Sequence, residues 1–179
     1  MDVSPLNRKE IMSHIIRPET ASDIAAIHEV TVAAFKDVPH SDNTEQFIVK
    51  ALREANALTI SLVAENLNRV VGHVAISPVI ISDSTTNWFG LGPISVCPAH
   101  QNQGIGGELM KKALSELRKL GAAGCVLLGD PSYYSRFGFK PEPNIELPDV
   151  PPEYFQALSF TPTMPHGLVT YHEAFNAKG

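Results

Sequence analysis

The sequence predicts an α/β domain, a mixed and mostly antiparallel sheet with helices on both faces, in the order β-α-α-β-β-β-α-β-α-β. Three observations carry this. Residues 58–65 (LTISLVAE) and 70–82 (VVGHVAISPVIIS) read as adjacent antiparallel strands joined by a turn over Asn66 to Arg69. Residues 108–121 (ELMKKALSELRKLG) repeat apolar residues at helical spacing. Residues 123–129 (AGCVLLG) form a continuous apolar run, as expected of a strand covered on both faces.

The remaining elements follow in order. HIIRPET, residues 14–20, reads as a short strand ending near Pro18. Thr20 followed by Asp23 resembles a capping box, and Ile24, Ile27, Ala34 and Phe35 then share one helical face. KDVPHSDN breaks that helix, and a second is expected from Thr44 to Ala55 with Asn43 as its N-cap. In residues 58–65, Leu58, Ile60, Leu62 and Ala64 alternate onto one face. After the loop SDSTTN, residues 88–98 (WFGLGPISVCP) read as a further strand. Its Gly90, Gly92 and Pro93 suggest a bulge or a close backbone approach. In the helix after it, Leu109, Ala113, Leu117 and Leu120 are spaced for burial, and Gly121 stops it. PSYYSRFGF reads as a short helix and turn. Eight of the 14 prolines fall between Pro131 and Pro165, yet Ile145, Leu147, Tyr154, Phe155, Leu158 and Phe160 share that stretch. It is therefore expected to be an ordered wrap with a short helix after Pro151 and Pro152, and residues 168–175 to be a last strand.

Composition narrows the function classes. The chain has 179 residues, 44% of them hydrophobic, enough for a sizeable core. The formal net charge of -5 argues against a nucleic-acid backbone as partner. The longest apolar segment is interrupted by His73, Ser77 and Pro78 and falls short of the ~20 residues that cross a bilayer, so no membrane is expected. Residues 1–13 lack the apolar stretch of a signal peptide and are expected to be a flexible N-terminus. Residues 14–179 are expected to be one domain of a cytoplasmic protein. Cys97 and Cys125 form no CxxC pair and read as small buried hydrophobes. A nucleophilic Cys97 beside His100 would lack a third, orienting group. His166 and His172 have no supporting ligands for a metal, and none is expected.

The segment QNQGIGG, residues 101–107, places Gly104, Gly106 and Gly107 where a helix begins. Glycine costs about 1 kcal/mol relative to alanine inside a helix, so something must offset it. A helix start presents unpaired N–H groups and the positive end of the dipole, and the missing Cβ atoms let a bulky anion approach. The segment is a candidate phosphate cradle. A P-loop would need Lys after its last Gly, where Glu108 stands; the dinucleotide fingerprint would need Gly at position 109, which is Leu109.

The spacing Gln101-x-x-Gly104-x-Gly106, directly after a strand containing Ile94-Ser95-Val96, resembles the acetyl-CoA signature of the GNAT acyltransferase superfamily. Tyr134-Ser135-Arg136-Phe137-Gly138-Phe139 is similar to that family's Tyr-x-x-x-Gly-Phe segment. The wider stretches LGPISVCPAHQNQGIGG and LGDPSYYSRFGF look like its bacterial YhbS-like branch. The resemblance implies the acyl-CoA N-acyltransferase fold, splayed between its fourth and fifth strands. It also implies transfer from acetyl-CoA to a small-molecule or peptide amine. Gln101, Asn102, Gln103, Gly104, Ile105, Gly106 and Gly107 would hold the pyrophosphate, and the main chain of Ile94, Ser95 and Val96 would pair with the pantetheine arm. A backbone N–H of the splayed strand would polarise the carbonyl, an oxyanion-type contact.

Tyr134 matches the family's general acid for the departing thiolate, with Tyr133 as its neighbour and substitute. Family members often carry a basic carboxylate on the central strands. Residues 89–96 offer none, which leaves His73 as a candidate base; the other reading of His73 is a satisfied core histidine. Asp130 stands where some relatives have a cofactor-binding Asn. Asp37, Asp42 and Glu45 border the groove that this fold gives to the acceptor, either to attract a cationic amine or as a solvated acidic surface. Because no strand carboxylate is present, a non-catalytic acyl-CoA-binding or sensing module stays open beside the enzyme. A homodimer is compatible with the sequence.

Overall fold

The computed structural model describes residues 14–179; the segment expected to be a flexible N-terminus lies outside the described residues. The strands are β1 (Ile15–Pro18), β2 (Ile60–Asn66), β3 (Arg69–Ile81), β4 (Trp88–Val96), β5 (Gly124–Leu128), β6 (Lys140–Pro141), β7 (Ile145–Glu146), β8 (Phe155–Ser159) and β9 (Gly167–Tyr171). The helices are α1 (Ile24–Phe35), α2 (Glu45–Glu54), α3 (Ile105–Lys119) and α4 (Pro131–Tyr134). The sheet runs β1-β2-β3-β4-β5-β8-β6, with β9 paired to β3 and β7. Pairing along that path is antiparallel except between β4 and β5.

Side-chain alternation on β2 assigns the two faces. Leu62 and Ala64 join Leu109, Met110, Ala113 and Leu117 of α3 in one apolar cluster. Val63, pointing the other way, packs with Ile27 of α1 and Val49 of α2. The expected capping box is present: the Thr20 N–H donates to the Asp23 carboxylate at 2.7 Å. Arg17 on β1 also donates to Asp23 at 2.7 Å, which holds that carboxyl well below the usual range. On α1 the buried residues are Ile27, Val30 and Thr31, whereas Ile24 is exposed. The N-cap of α2 is Thr44, one residue later than expected, and Asn43 before it adopts a left-handed φ of 57°. Leu120, expected to be buried, is exposed at the end of α3.

The Pro-rich tail contains more strand than expected. The short helix appears as a 3-10 turn over Pro152–Tyr154, but β8 follows it at once and pairs antiparallel with β5. Phe155, Gln156 and Ala157 of β8 are buried, and the Gln156 side chain donates to the Gly129 carbonyl at 2.9 Å. The last strand ends at Tyr171, where His172 Nδ1 accepts from the Ala174 N–H at 3.0 Å and caps a 3-10 turn.

β4 positions the site. It pairs with β3 along both of its halves, with an irregularity between Val74 and Ile76. Against β5 it pairs only over Trp88, Phe89 and Gly90, opposite Gly124, Cys125 and Val126. Beyond Gly90 the two strands part. Gly92 takes a φ of 141°, which other residues rarely adopt, and Pro93 has no N–H to donate.

Candidate active site

The parting of β4 and β5 opens a cleft of about 680 Å³, bounded by the end of β4, the start of α3 and the α4 turn. The β4 wall offers main-chain groups. The Cys97 N–H donates to the Val71 carbonyl at 2.8 Å, so Cys97 and, two residues earlier, Ser95 address β3. By the same alternation the N–H and C=O groups of Ile94 and Val96 face the cleft. The Val96 carbonyl is met there by the Gln101 side-chain amide at 3.1 Å, which ties the loop to the strand end. The Ser95 side chain is buried away from the cleft, 3.5 Å from the Thr31 hydroxyl of α1.

The α3 wall supplies unpaired donors. Gly104 begins the helix with a φ of 84°. The first intrahelical bond of α3 runs from the Glu108 N–H to the Gly104 carbonyl at 3.1 Å. The N–H groups of Ile105, Gly106 and Gly107 precede it and have no acceptor among the described residues. A Cβ on Gly106 would sit 3.5 Å from the Tyr133 hydroxyl, and one on Gly107 3.9 Å from the Phe137 ring. Side chains at these positions would fill the gap between the two walls.

The opposite wall is aromatic. Tyr133 meets Tyr134 edge to face at 4.9 Å and Phe137 at 5.6 Å. Tyr134 packs against Gly129, where a Cβ would overlap its ring. Burial raises the Tyr134 hydroxyl above the ordinary tyrosine value, with Tyr133 adding to the shift, so it keeps its proton at neutral pH. Asp130 caps α4 by accepting from the Ser132 N–H at 2.9 Å and does not line the cleft.

A profile of the acetyltransferase (GNAT) domain matches residues 15–141. The chain belongs to the GNAT acetyltransferase family. It is 34% identical to the N-acetyltransferase YhbS of Escherichia coli over 90% of this chain and 98% of that protein. Among solved structures it is similar to a GNAT family acetyltransferase from Brucella melitensis in complex with acetyl-CoA (51% identity, 92% of this chain and 99% of that one, TM-score 0.82). It also resembles E. coli YhbS in complex with CoA (33% identity, 93% of each chain, TM-score 0.84).

Of the residues expected in a GNAT site, Ile94, Ser95, Val96, Gln101 and Asn102 line the cleft, as do Gly104 to Gly107 and Tyr134. Gln103 is exposed and does not. The structure does not bring His73 to the cleft. It lies fully buried on the sheet face under α1 and α2, opposite Ser95 in register, with Nε2 2.8 Å from the Ser61 hydroxyl. Burial, then the positive charge of Arg53, depresses its pKa to about 3. Cys125 is fully buried and its thiol is pushed up by that burial; Cys97 does not line the cleft. Asp37 and Asp42 are exposed, and Glu45 accepts from the Ser41 hydroxyl at 2.6 Å. Among the described residues no cluster of metal-ligating side chains forms, and no helix is long and apolar enough to cross a membrane.

Sequence reasoning left out Lys111, Arg136 and Phe137, all of which line the cleft, and undervalued Tyr133. Lys111 had a readable signal, since it stands four residues after Gly107 and so on the same helical face. Arg136 lies inside the quoted aromatic motif, but nothing in its spacing says which way it turns.

Proposed function

We propose that this chain transfers an acetyl group directly from acetyl-CoA to an amine, with Tyr134 as the general acid. The observation that carries this is the loss of β4–β5 pairing beyond Gly90. It leaves the main-chain groups of Ile94 and the N–H of Val96 free to bind a pantetheine arm as an added strand, while the Val96 carbonyl is held by Gln101. That arm runs toward the unpaired N–H groups of Ile105, Gly106 and Gly107, which suit a pyrophosphate at a helix start. The acetyl-CoA held by the similar Brucella protein supports the choice of donor.

In the reaction the neutral amine nitrogen attacks the thioester carbonyl, the C–S bond breaks, and the departing thiolate takes the Tyr134 proton. The nitrogen sheds its extra proton to water, and the Tyr134 phenolate regains one from solvent, which closes the cycle. A backbone N–H of β4 polarises the carbonyl. No acyl-enzyme forms, because Cys125 is buried and Cys97 stands off the cleft. His73 takes no part in proton removal in this scheme. The acceptor is a small-molecule or peptide amine, a homodimer is compatible with the scheme, and the two free thiols suit a reducing, cytoplasmic setting.

The test is Tyr134→Phe, which keeps the ring and removes the proton. CoA release with an amine acceptor should fall by about 10²–10⁴-fold, the range of positioned acid catalysis, while acetyl-CoA affinity changes by less than about tenfold. Full turnover at saturating substrates would remove Tyr134 as the acid. An acetylated protein in intact-mass spectra after incubation with acetyl-CoA alone would overturn direct transfer.

A further inference from the structure

Two cations at the cleft have no role in the scheme above. Arg136 is fixed in place: its Nε donates to the Tyr133 carbonyl at 2.8 Å, and its guanidinium lies 4.4 Å from the centre of the Tyr133 ring. Both terminal nitrogens are left free of protein acceptors among the described residues. Lys111 projects from the α3 wall. The other basic residues of that helix are occupied: Lys112 and Lys119 pair with Glu116, and Arg118 covers the Phe160 ring. Lys111 has no ion pair among the described residues, yet it lines the cleft.

Their positions matter. The unpaired amides end at Gly107, and Lys111 stands one helical turn, about 6 Å, beyond them. Arg136 approaches the same region from the far wall, stacked on the ring whose hydroxyl overhangs Gly106. A diphosphate is already served by the amides and the helix dipole. Lys111 lies past it, where a second anionic group would sit, and Arg136 faces the cleft from the opposite wall. They stand out in a chain of net charge -5, whose cleft also carries Glu108.

We propose that Lys111 and Arg136 form a subsite for the 3′-phosphate on the ribose of coenzyme A. The pair then selects coenzyme A over donors with only the pantetheine arm and pyrophosphate. Arg136 supplies a planar fork suited to two phosphate oxygens, and Lys111 a point charge from the other side. This inference rests on the assignment of the cleft to coenzyme A.

The experiment is calorimetry of CoA and 3′-dephospho-CoA on the wild type, Lys111→Gln and Arg136→Gln. The wild type should bind CoA about tenfold to a hundredfold more tightly than 3′-dephospho-CoA. Each variant should lose most of that ratio by weakening CoA alone. Lys111 is exposed on a helix and its replacement leaves the fold intact, so it carries the test if Arg136→Gln disturbs the α4 turn. Equal weakening of both ligands by Lys111→Gln would place the cations on the pyrophosphate and overturn the subsite, as would equal wild-type affinities. If the wild type binds neither ligand, the assignment of the cleft fails, and the subsite with it.

Discussion

At Gly90, Gly124 and Gly129 an added Cβ would overlap an aromatic ring, that of Tyr171, Trp88 and Tyr134 respectively. At Gly104 nothing lies within 4 Å, and at Gly106 and Gly107 the nearest atoms stand 3.5 and 3.9 Å away. The first group is glycine because the protein itself comes close. In the second group the φ of 84° accounts for Gly104, but Gly106 and Gly107 are glycine although the protein leaves room, and under the proposed function their side chains are withheld for the pyrophosphate. Titratable groups divide in the same way. His73 is enclosed by protein, and Tyr134 faces the cleft.

The strongest way to break this contrast is Gly124→Val. The indole of Trp88 occupies the required space, and overpacking of a tight core costs about 1–3 kcal/mol or more. Urea denaturation should show a loss at the upper end of that range. A variant as stable as the wild type would mean that the Trp88 contact is loose.

A second effect should follow pH. The unfolded chain binds a proton at His73 near pH 6.5, whereas the folded chain resists it down to about pH 3. The stability due to neutral, buried His73 is thus complete above pH 6.5 and falls by up to about 1.4 kcal/mol per unit below it. Asp23 contributes the same sign only below its ordinary value near 3.8, and Glu116 only around and below its ordinary 4.5, so pH 5.5–6.5 isolates His73. His73→Gln should flatten the slope in that window, and an unchanged slope would show that His73 is open to solvent. The smallest effect is Gly106→Ala, which should raise stability by up to about 1 kcal/mol, because alanine suits a helix better and nothing blocks it.

The comparison also explains what could be read from sequence. Helix α3, strands β2 to β5 and the glycine start announced themselves through apolar periodicity and chain-breaking residues, which are local signals. An irregularity at Gly90–Pro93 was readable as a bulge or close backbone approach, because glycine and proline interrupt an otherwise strand-like run; that the strands splay there was implied only by the family resemblance. β8 was not, since FQALS sits among prolines and becomes a strand only because β5 has a free edge there. The off-cleft position of His73 was hidden for a similar reason: strand alternation gives two faces but not which helices cover them. Lys111 and Arg136 come to one cleft only through the tertiary fold, so the role proposed for the pair has no signature in either segment.

The central claim is that Gly106 is withheld for a phosphate and not for the fold. Gly106→Val tests it with two ligands and one melting curve. The melting temperature should stay within a few degrees of the wild type. CoA affinity should fall by at least about tenfold, the loss of one charge-assisted hydrogen bond or more, while pantetheine, which lacks the phosphates, should bind nearly as before. Equal losses for CoA and pantetheine, or no loss of CoA affinity in a folded variant, would contradict the account.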